Sequence, residues 1–483
     1  MIGKVISSST QEVILRIDDG VEVESIQLGT QIIIESHFTY LARVVSLEMK
    51  NLGESNLADK VAALGSESVY GDIGSALGSQ FYYICRARLL GKISGRLSGA
   101  KTIPRFLSCA RKATEDDLRF LGPSDGNAIE IGKLRDLDVN IRLNRSTLIT
   151  RHCGVFGKTG SGKSNTVKVL ISRLIADGCP SLVFDVHGEY SRHDGLRPYK
   201  NVIVMGIANN EDITISLPLE AIKPKDVRLV SSLNDTQMEA AEAIRNKKYK
   251  GWIKYIKDTD AEVIHRDFKK QINELTILTI KRKIGALYSQ EYVGTDFNSL
   301  KYIYDAICNG RTIVMDFGDY EHNDYAIRLI TTVISRYLLE RFKNARKKDI
   351  DLPETLIVLE EAHKMLSKDI ARATIFENIV REGRKFGLGL LVVDQMPRKI
   401  HEEIISQLNT VIIMLLTNMK DREHLVMSSE NDLSDFKDEM SRLDVGEAII
   451  TGISVPIPLS GMIPIYKPAK GDIEEHDDDF SFN

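Results

Sequence analysis

The chain has 483 residues, 43% hydrophobic and 27% charged, which excludes disorder for most of its length and leaves room for two or three domains. Its net charge of -4 excludes a uniformly basic nucleic-acid binder, so any such contact must be local. Five widely spaced cysteines without a C-x-x-C pair argue against a zinc site or a disulfide framework and favour a cytoplasmic protein. The apolar runs are far shorter than the roughly 18–20 residues that span a bilayer, so we expect no membrane segment.

Residues 1 to about 100 alternate apolar and polar positions in short runs, as at 12–28 and 81–93. This pattern predicts the strands of a small barrel or sandwich. About 45 residues of mixed character follow, and we place a domain boundary near 140–148. Residues 1–145 are therefore predicted to form an amino-terminal β-barrel domain plus a linker.

From residue 146 onward, short apolar runs alternate with helical stretches, which predicts an α/β core whose parallel sheet is covered on both faces. The runs lie at 147–157, 181–186, 201–206, 311–318, 355–361, 388–394 and 410–415. Helix-like sequence at about 219–305 interrupts them and predicts an inserted helical subdomain. The core is predicted to extend to 470, and the acidic residues 471–483 are predicted to be a disordered tail.

The strongest motif is GKTGSGKS, which satisfies G-x-x-x-x-G-K-[ST] between an apolar run and a helix-like sequence. Its glycines allow backbone N–H groups to surround phosphate oxygens, and the following helix points its positive end at the same anion. The residues expected to bind ATP are Gly157, Lys158, Thr159, Gly160, Ser161, Gly162, Lys163, Ser164 and Asn165. Lys163 should reach the β- and γ-phosphates, and Ser164 should ligate Mg²⁺. A chance glycine-rich turn is disfavoured because both flanks fit.

A second motif, TLIVLEEAH at 355–363, is an apolar strand that ends in two carboxylates. Ligands of open α/β sheets bind at this end of the strands. Glu360 is expected to act on Mg²⁺ or its water, and Glu361 to orient or deprotonate the attacking water. Alternatively, the two acids merely open a helix, where negative charge suits the helix dipole.

A third motif, LVFDVHGEYS at 182–191, contains Asp185 22 residues after Lys163. We expect this spacing to return the chain to a strand beside the phosphate loop, with Asp185 near the metal or the water. His187 and Glu189 have the residue types of a metal pair. Since no third ligand stands at a sensible spacing, we favour a hydrogen-bonded structural role for them.

Four segments, RHCGVFGKTGSGKSNT, FDVHGEYS, LIVLEEAH and REGRKFGLGLLVVDQMP, resemble the HerA family of the FtsK/HerA superfamily in order and spacing. The amino-terminal region resembles the family's small barrel, and GEAIITGISVPIP resembles the segment that closes its ATPase core. The resemblance implies a RecA-like P-loop ATPase core with a barrel and a helical insertion. It also implies a hexameric ring of identical subunits, a channel for double-stranded DNA, and a partner nuclease or other effector.

Residue by residue, the resemblance matches Lys163 and Ser164 to the Walker A pair, Glu360 and Glu361 to the Walker B acids, and Asp185 to an acidic residue of the family. Arg381 or Arg384 matches the region that supplies an arginine finger to the neighbouring subunit, and we favour Arg384. A guanidinium there would offset the charge that develops during phosphoryl transfer. The alternative is that either arginine pairs with Glu377 or Glu382 on its own helix.

The resemblance also matches Gln395 to a γ-phosphate sensor and Arg151 to a basic residue near the subunit junction. The family often has serine before the glutamine and arginine after it, where this chain has Asp394 and Met396. The coupling of the sensor is therefore an open point, while the hydrolytic core is unaffected.

Contacts with DNA are less specific in the sequence. Residues 245–257 carry six basic residues and no acids, with Tyr249, Trp252 and Tyr255 interleaved. The stretch is either a phosphate-tracking surface with stacking side chains or a solvated amphipathic helix whose aromatic face packs inward. Arg398 and Lys399 are a second candidate. Neither has base-reading character, so binding should be sequence-tolerant and sensitive to salt.

The leading hypothesis is a ring-forming, ATP-driven translocase or helicase on double-stranded DNA that works with an effector in DNA processing or phage defence. The alternative is an assembly scaffold that gathers and activates its effector without processive translocation. Related conjugation and packaging ATPases are a third possibility, although those chains often carry membrane helices.

Overall fold

A computed structural model describes residues 1–51, 81–94, 97–121, 126–135, 137–207, 213–231, 233–248, 251–288, 290–294, 298–370, 374–429 and 432–468. The acidic segment 471–483 and Tyr249 lie outside the described residues. The described part contains an antiparallel barrel and a larger mixed sheet flanked by helices. No helix in it is both long and apolar enough to cross a bilayer.

The amino-terminal strands form a closed six-stranded antiparallel barrel. Its strands are β1 (Gly3–Ser8), β2 (Glu12–Ile17), β3 (Gln31–Glu35), β4 (Thr39–Asn51), β5 (Phe81–Ile93), the two-residue β6 (Leu97–Ser98) beside β5, and β7 (Cys109–Lys112). The order is β2-β1-β7-β3-β4-β5, and β5 pairs back with β2. Alternate residues Val13, Leu15 and Ile17 point into the barrel because side chains of a strand alternate between its faces. The prediction of a barrel is confirmed.

The larger sheet contains twelve strands in the order β13-β12-β16-β11-β17-β18-β10-β19-β20-β21-β8-β9. Its first strands in the chain are β8 (Ala128–Leu134), β9 (Asn140–Asn144), β10 (Cys153–Phe156), β11 (Ser181–Asp185), β12 (Val202–Gly206) and β13 (Ile213–Thr214). A separate parallel pair follows, β14 (Leu217–Pro218) with β15 (Val293–Gly294). The rest are β16 (Thr312–Asp316), β17 (Thr355–Leu359), β18 (Leu388–Asp394), β19 (Thr410–Ile413), β20 (Glu447–Gly452) and β21 (Leu459–Met462). Pairing is parallel from β13 to β19 and antiparallel from β19 to β9.

Each of the seven predicted apolar runs contains a strand of this sheet, but the first run is only partly a strand. Residues 145–150 are helical, because the side chain of Asn144 accepts a hydrogen bond from the Thr147 amide and starts a helix there. Two strands, β8 and β9, come from the segment assigned to the amino-terminal domain and its linker. Since β8 pairs with β21, this part of the chain extends the central sheet rather than the barrel.

The expectation that Asp185 lies on a strand beside the phosphate loop is wrong. The phosphate-loop strand β10 has β18 and β19 as neighbours, and β18 and β17 stand between it and β11. Parallel strands need crossovers, so chain spacing alone does not fix which strands become neighbours. At the carboxyl edge the order of strand ends is therefore the phosphate loop, then Gln395, then Glu360, then Asp185.

Helices cover the sheet. They are α1 (Arg145–Thr150), α2 (Lys163–Ala176), α3 (Pro224–Val230), α4 (Asp235–Lys248), α5 (Trp252–Asp258), α6 (Ala261–Asp267), α7 (Glu274–Tyr288), α8 (Ser299–Cys308), α9 (Asp324–Lys347), α10 (His363–Leu366), α11 (Phe376–Glu382), α12 (Glu402–Ser406) and α13 (Met419–Ser428). Helices α3 to α7 fall in the predicted insertion 219–305, and α8 runs past its end. On α2, apolar residues recur at helical spacing and are buried, at Val167, Leu170, Ile171 and Leu174.

A buried ion pair joins the barrel to the core. Arg43 of β4 is 1% exposed, and its guanidinium donates to Glu439 and to Ser460, the latter at 2.9 Å. Just beyond Glu439, the Gly446 amide donates to the Ser161 carbonyl at 3.1 Å. Residues 439–446 therefore run from the ion pair with the barrel to a hydrogen bond with the predicted phosphate loop.

Candidate active site

The predicted phosphate loop is a turn between β10 and α2 that two glycines make possible. Gly160 and Gly162 have φ angles of 77° and 105°, where a side chain would be strained. Gly162 also stands at the N-terminal end of α2, so the first helical N–H groups face the loop. The turn therefore has the backbone geometry that the sequence predicts for an anion cradle.

The base of the loop is tightly packed. A Cβ on Gly157 would lie 2.6 Å from the Ser161 hydroxyl oxygen and 2.9 Å from Cβ of Met414, so only glycine fits. Ser161 is fully buried, and its hydroxyl has no hydrogen-bond partner among the described residues. Asn165 faces away from the cradle, since its amide bonds to the Pro464 carbonyl and the Tyr466 amide at 2.9 and 2.8 Å.

Lys163 bends over the loop and donates to the Lys158 carbonyl at 3.2 Å. Burial lowers the pKa of Lys163, although nearby carboxylates oppose this effect. Those carboxylates belong to Glu361, Asp394, Glu189 and Glu360. The predicted phosphate site is therefore rich in acidic groups around a single central lysine.

Glu360 is buried at the end of β17 and is held by the backbone of the neighbouring loop. Its carboxylate accepts hydrogen bonds from the amides of Val186 and His187 at 2.8 and 3.2 Å. Burial raises the pKa of Glu360 well above its usual value, and the negative charge of Asp185 adds to the rise. A cation beside this carboxylate would favour its ionised form.

Asp185 is fully buried, and its two oxygens accept three backbone hydrogen bonds from the loop that follows β11. The donors are the amides of Glu189, Tyr190 and Ser191, at 2.9, 2.9 and 2.8 Å. Burial raises the pKa of Asp185 to about 6 despite these bonds. Asp185 thus shapes the loop whose amides hold Glu360.

The environment of Glu361 differs from that of Glu360. Among the described residues, only side chains, and no backbone amides, contact the Glu361 carboxylate. Its backbone has a φ of 47°, an unusual conformation for a residue other than glycine and one that concentrates at functional sites. Nε2 of His187 lies 3.8 Å from one oxygen, and Nδ1 of His363 and Nε2 of Gln395 each lie 3.4 Å from the other. Gln395 in turn accepts from the Thr159 hydroxyl. The predicted sensor therefore connects the phosphate loop to the predicted catalytic acid.

Sequence reasoning missed His363. Asp394 is fully buried and accepts hydrogen bonds from the His363 amide at 2.7 Å and from its Nδ1 at 2.9 Å. Burial lowers the pKa of His363, but the hydrogen bond and charge of Asp394 outweigh this and raise it. Glu361, His363 and Asp394 are close enough to hold a cation together, yet the bond between His363 and Asp394 indicates an ion pair. The signals were a histidine two residues after Glu361 and an acid where the family often has serine.

For His187, the sequence leaves two roles to compare, a metal ligand and a hydrogen-bonded structural residue. Its Nδ1 lies 3.2 Å from Glu321, while Nε2 faces Glu361. No group of three metal-binding side chains that includes His187 or Glu189 occurs in the described part of the chain. The arrangement favours the hydrogen-bonded role.

The two candidate arginines differ in their partners. Arg381 forms ion pairs with Glu377 and Glu403 at 2.7 and 3.0 Å, so the alternative of a pair on its own helix applies to it. Arg384 is exposed and forms no ion pair with any described residue. Glu382, the other expected partner, pairs with Lys343. Arg151 is half-buried at the end of α1.

The two described aromatic residues of 245–257, Trp252 and Tyr255, pack toward the protein interior. Trp252 is fully buried, and its indole N–H donates to the Ile222 carbonyl at 2.9 Å. Tyr255 is half-buried and donates to Asp267. These placements favour an amphipathic helix over a stacking surface. Arg398 and Lys399, the second candidate for DNA contact, are exposed. Nε of Arg398 lies 3.8 Å from Oδ1 of Asp421.

Comparison with known proteins identifies relatives of the chain. Residues 129–338 match the family model "Helicase HerA, central domain". The DNA double-strand break repair helicase HerA of Sulfurisphaera tokodaii is 31% identical over 431 residues, covering 82% of this chain and 84% of that protein. The helicase of the same name from Pyrococcus furiosus is 28% identical over 454 residues, covering 83% and 81%.

Solved structures support the same fold. The bacterial conjugative coupling protein TrwB superposes with a TM-score of 0.53 at 12% identity, covering 74% of this chain and 93% of its own. VirB4 of Thermoanaerobacter pseudethanolicus gives a TM-score of 0.53 at 17% identity, covering 73% and 100%. With the match to the Sulfurisphaera protein, these findings confirm the resemblance drawn from the sequence motifs. The chain therefore belongs to the HerA helicase family and is a RecA-like P-loop ATPase of the DNA translocase and helicase type.

Proposed function

We propose that the chain binds ATP with Mg²⁺ at the carboxyl edge of its central sheet, forms a hexameric ring, and uses hydrolysis to move along double-stranded DNA. We further propose that it works with a partner nuclease or another effector in DNA processing or phage defence. The observation that carries the proposal is the convergence of the phosphate loop, Gln395 and Glu361 at neighbouring strand ends. The relatives named as DNA double-strand break repair helicases support the DNA part.

The residues at this edge fit a magnesium nucleotide. The negative charges of four carboxylates lie close enough to Lys163 to raise its pKa against the effect of burial. A triphosphate without a cation would therefore meet a strongly negative surface. A divalent cation removes that conflict, and Ser164 and Glu360 are the residues that would hold it. When bound, Mg²⁺ supplies positive charge to the β- and γ-phosphate oxygens. Structures of TrwB with ADP and Mg²⁺ and with a non-hydrolysable ATP analogue support this use of the fold.

The protein's own residues then have separate roles. Lys163 and the loop amides bind the phosphates, and Glu361 orients the attacking water and accepts its proton. Gln395 lies between Thr159 and Glu361, so it can report the state of the phosphate loop to the acid. Arg384 has no ion-pair partner among the described residues, which leaves it free to reach the nucleotide of an adjoining subunit. Arg151 is proposed to lie at the same junction.

ATP hydrolysis with and without duplex DNA tests the proposal. We expect Mg²⁺-dependent hydrolysis that duplex DNA stimulates, and loss of activity in Lys163→Ala. Lys168→Ala, further along the same helix, is the matched control and should keep activity. Absence of hydrolysis in the wild type, or undiminished hydrolysis in Lys163→Ala, would remove the motor function.

One observation favours the alternative of a scaffold that activates an effector. Ile103, Phe106 and Leu107 are 47%, 70% and 54% exposed in one loop of the barrel. The loop is fixed by hydrogen bonds, among them that from the Leu107 amide to the Val5 carbonyl at 2.8 Å. An ordered apolar surface of this kind is typical of a protein-binding site. Movement of the isolated subunit along DNA past a roadblock would exclude a pure scaffold.

Native mass measurement of the chain, alone and with the product of the adjacent gene, tests the ring and the partner together. We expect a hexamer in the first sample and a larger complex in the second. Phe106→Ser should weaken the complex without changing the ring. A monomer under all conditions would contradict both parts.

A further inference from the structure

His152 lies between α1 and β10, immediately before the strand that leads into the phosphate loop. It is 3% exposed and has a φ of 59°, an unusual conformation for a residue other than glycine. Both ring nitrogens are bonded: Nε2 lies 3.0 Å from the Val380 carbonyl, and Nδ1 lies 3.0 Å from the Leu390 amide. The ring therefore joins α11 to β18.

These partners fix the protonation state of His152. The Leu390 amide can only donate, so Nδ1 must accept, and the proton must lie on Nε2, which donates to Val380. The ring is consequently neutral and in one tautomer, in agreement with the low pKa of about 4 that burial gives it. A neutral, buried histidine with a hydrogen bond at each ring nitrogen is a rigid connection between the backbone of α11 and that of β18.

Of the two elements, α11 depends more on this connection. Strand β18 is already held by its ladders with β10 and β17. Helix α11 ends at Glu382, directly before the turn that presents Arg384. Because Arg384 has no ion pair among the described residues, the backbone of that turn sets the position of its guanidinium. The Gly383 packing supports this, since a Cβ there would lie 2.4 Å from the Leu388 carbonyl oxygen.

We propose that His152 is a positioning residue for Arg384. It would fix the arginine-bearing turn against the chain's own sheet, so that the subunit delivers Arg384 to the neighbour's nucleotide in a defined place. This inference rests on the proposed function of Arg384 in an adjoining subunit. His152 does not contact the nucleotide in this account, so its effect should appear in the neighbour's site rather than in its own.

Rings of two differently tagged chains, co-expressed and purified through both tags, test this direction. Lys163→Ala subunits lack their own hydrolysis but keep Arg384, while Arg384→Ala subunits keep their own site. Mixing them should restore hydrolysis if the arginine acts between subunits. Adding His152→Phe to the Lys163→Ala chain should lower the restored rate by at least about tenfold. Adding it to the Arg384→Ala chain should leave the restored rate unchanged.

A conservative variant separates positioning from folding. His152→Gln keeps a donor that can reach the Val380 carbonyl, so the Lys163→Ala chain with this change should recover most of the restored rate. Equal losses in both arrangements of His152→Phe, or no loss in either, would overturn the positioning role alone. If the parental pair fails to restore hydrolysis, the action of Arg384 between subunits is wrong, and the inference falls with it.

Discussion

The carboxyl edge of the central sheet and helix α5, within the helical segment from α3 to α8, place their charged groups in opposite ways. At the edge, Asp185 and Glu360 are buried carboxylates, each bound to backbone amides. In α5, Trp252 is buried, and Lys254 and Lys257 lie in solvent. Burying a carboxylate costs free energy that the fold must offset, whereas an exposed lysine costs little. Buried carboxylates that backbone amides hold and that form no ion pair with a described residue, such as Glu360, therefore indicate function more strongly than a run of exposed charge does.

The largest effect that this comparison predicts is a loss of stability in Trp252→Ala. The substitution removes a fully buried ring and leaves the Ile222 carbonyl without its donor, so the free energy of unfolding should fall by about 3–5 kcal/mol. Urea unfolding measures the change. Lys254→Ala, an exposed position on the same helix, should stay within about 0.5 kcal/mol of the wild type. Equal stability in the two variants would mean that the indole is not a core side chain.

The two regions also differ in how far the sequence predicted them. The motif at Gly157–Ser164 depends on local backbone geometry, which the glycines and the following helix determine. The acids at Glu360 and Glu361 follow a buried strand, so their place at the carboxyl edge could also be predicted. The seven apolar runs contain seven of the twelve strands of the central sheet, because strands buried on both faces are almost continuously apolar.

What the sequence did not determine depends on contacts between distant segments. The order of strands is one example, since chain spacing placed Asp185 beside the phosphate loop although two strands intervene. The partners of His152 and His363 are another, because Val380 and Asp394 are remote in the chain. For Trp252, composition left the direction of the ring open, and only packing decides it.

The second prediction concerns chemistry at the sheet edge. Glu361→Gln keeps the size of the side chain but removes its basicity, so kcat for ATP should fall at least about 100-fold. Stability and nucleotide affinity should change little, since only side chains among the described residues hold Glu361. Steady-state hydrolysis and nucleotide titration measure these quantities. Glu402→Gln, at an exposed acid that pairs with Lys368, is the control and should keep the wild-type kcat. An unchanged kcat in Glu361→Gln would mean that another residue orients the attacking water and accepts its proton.

The third prediction concerns how the free energy of unfolding depends on pH. The group responsible is His152, which connects the sheet to the arginine-bearing turn. Its pKa is about 4 in the fold against an ordinary 6.5, so the folded state binds fewer protons. The stabilisation is complete above pH 6.5 and is lost as pH falls toward 4. Between pH 7 and pH 5, the wild type should lose about 2 kcal/mol relative to His152→Gln, which cannot titrate there. Urea unfolding of both proteins at the two pH values measures this, and a constant difference would contradict a buried neutral ring.

The smallest expected effect concerns the binding of duplex DNA by the exposed lysines of α5. If the lysines of α5 are merely solvated, the double variant Lys254→Ala and Lys257→Ala should bind duplex DNA within about twofold of the wild type, with the same dependence on salt. Lys257 already lies over the ring of Tyr288, 3.8 Å from its centroid, which is a structural use for its charge. Affinity measured across a salt series distinguishes the cases, because each lysine that neutralises a phosphate adds about 0.9 to the steepness of log affinity against log salt. A slope reduced by that amount for each lysine would assign the helical segment to the DNA path. Exposed charge would then carry function in this protein as buried charge does.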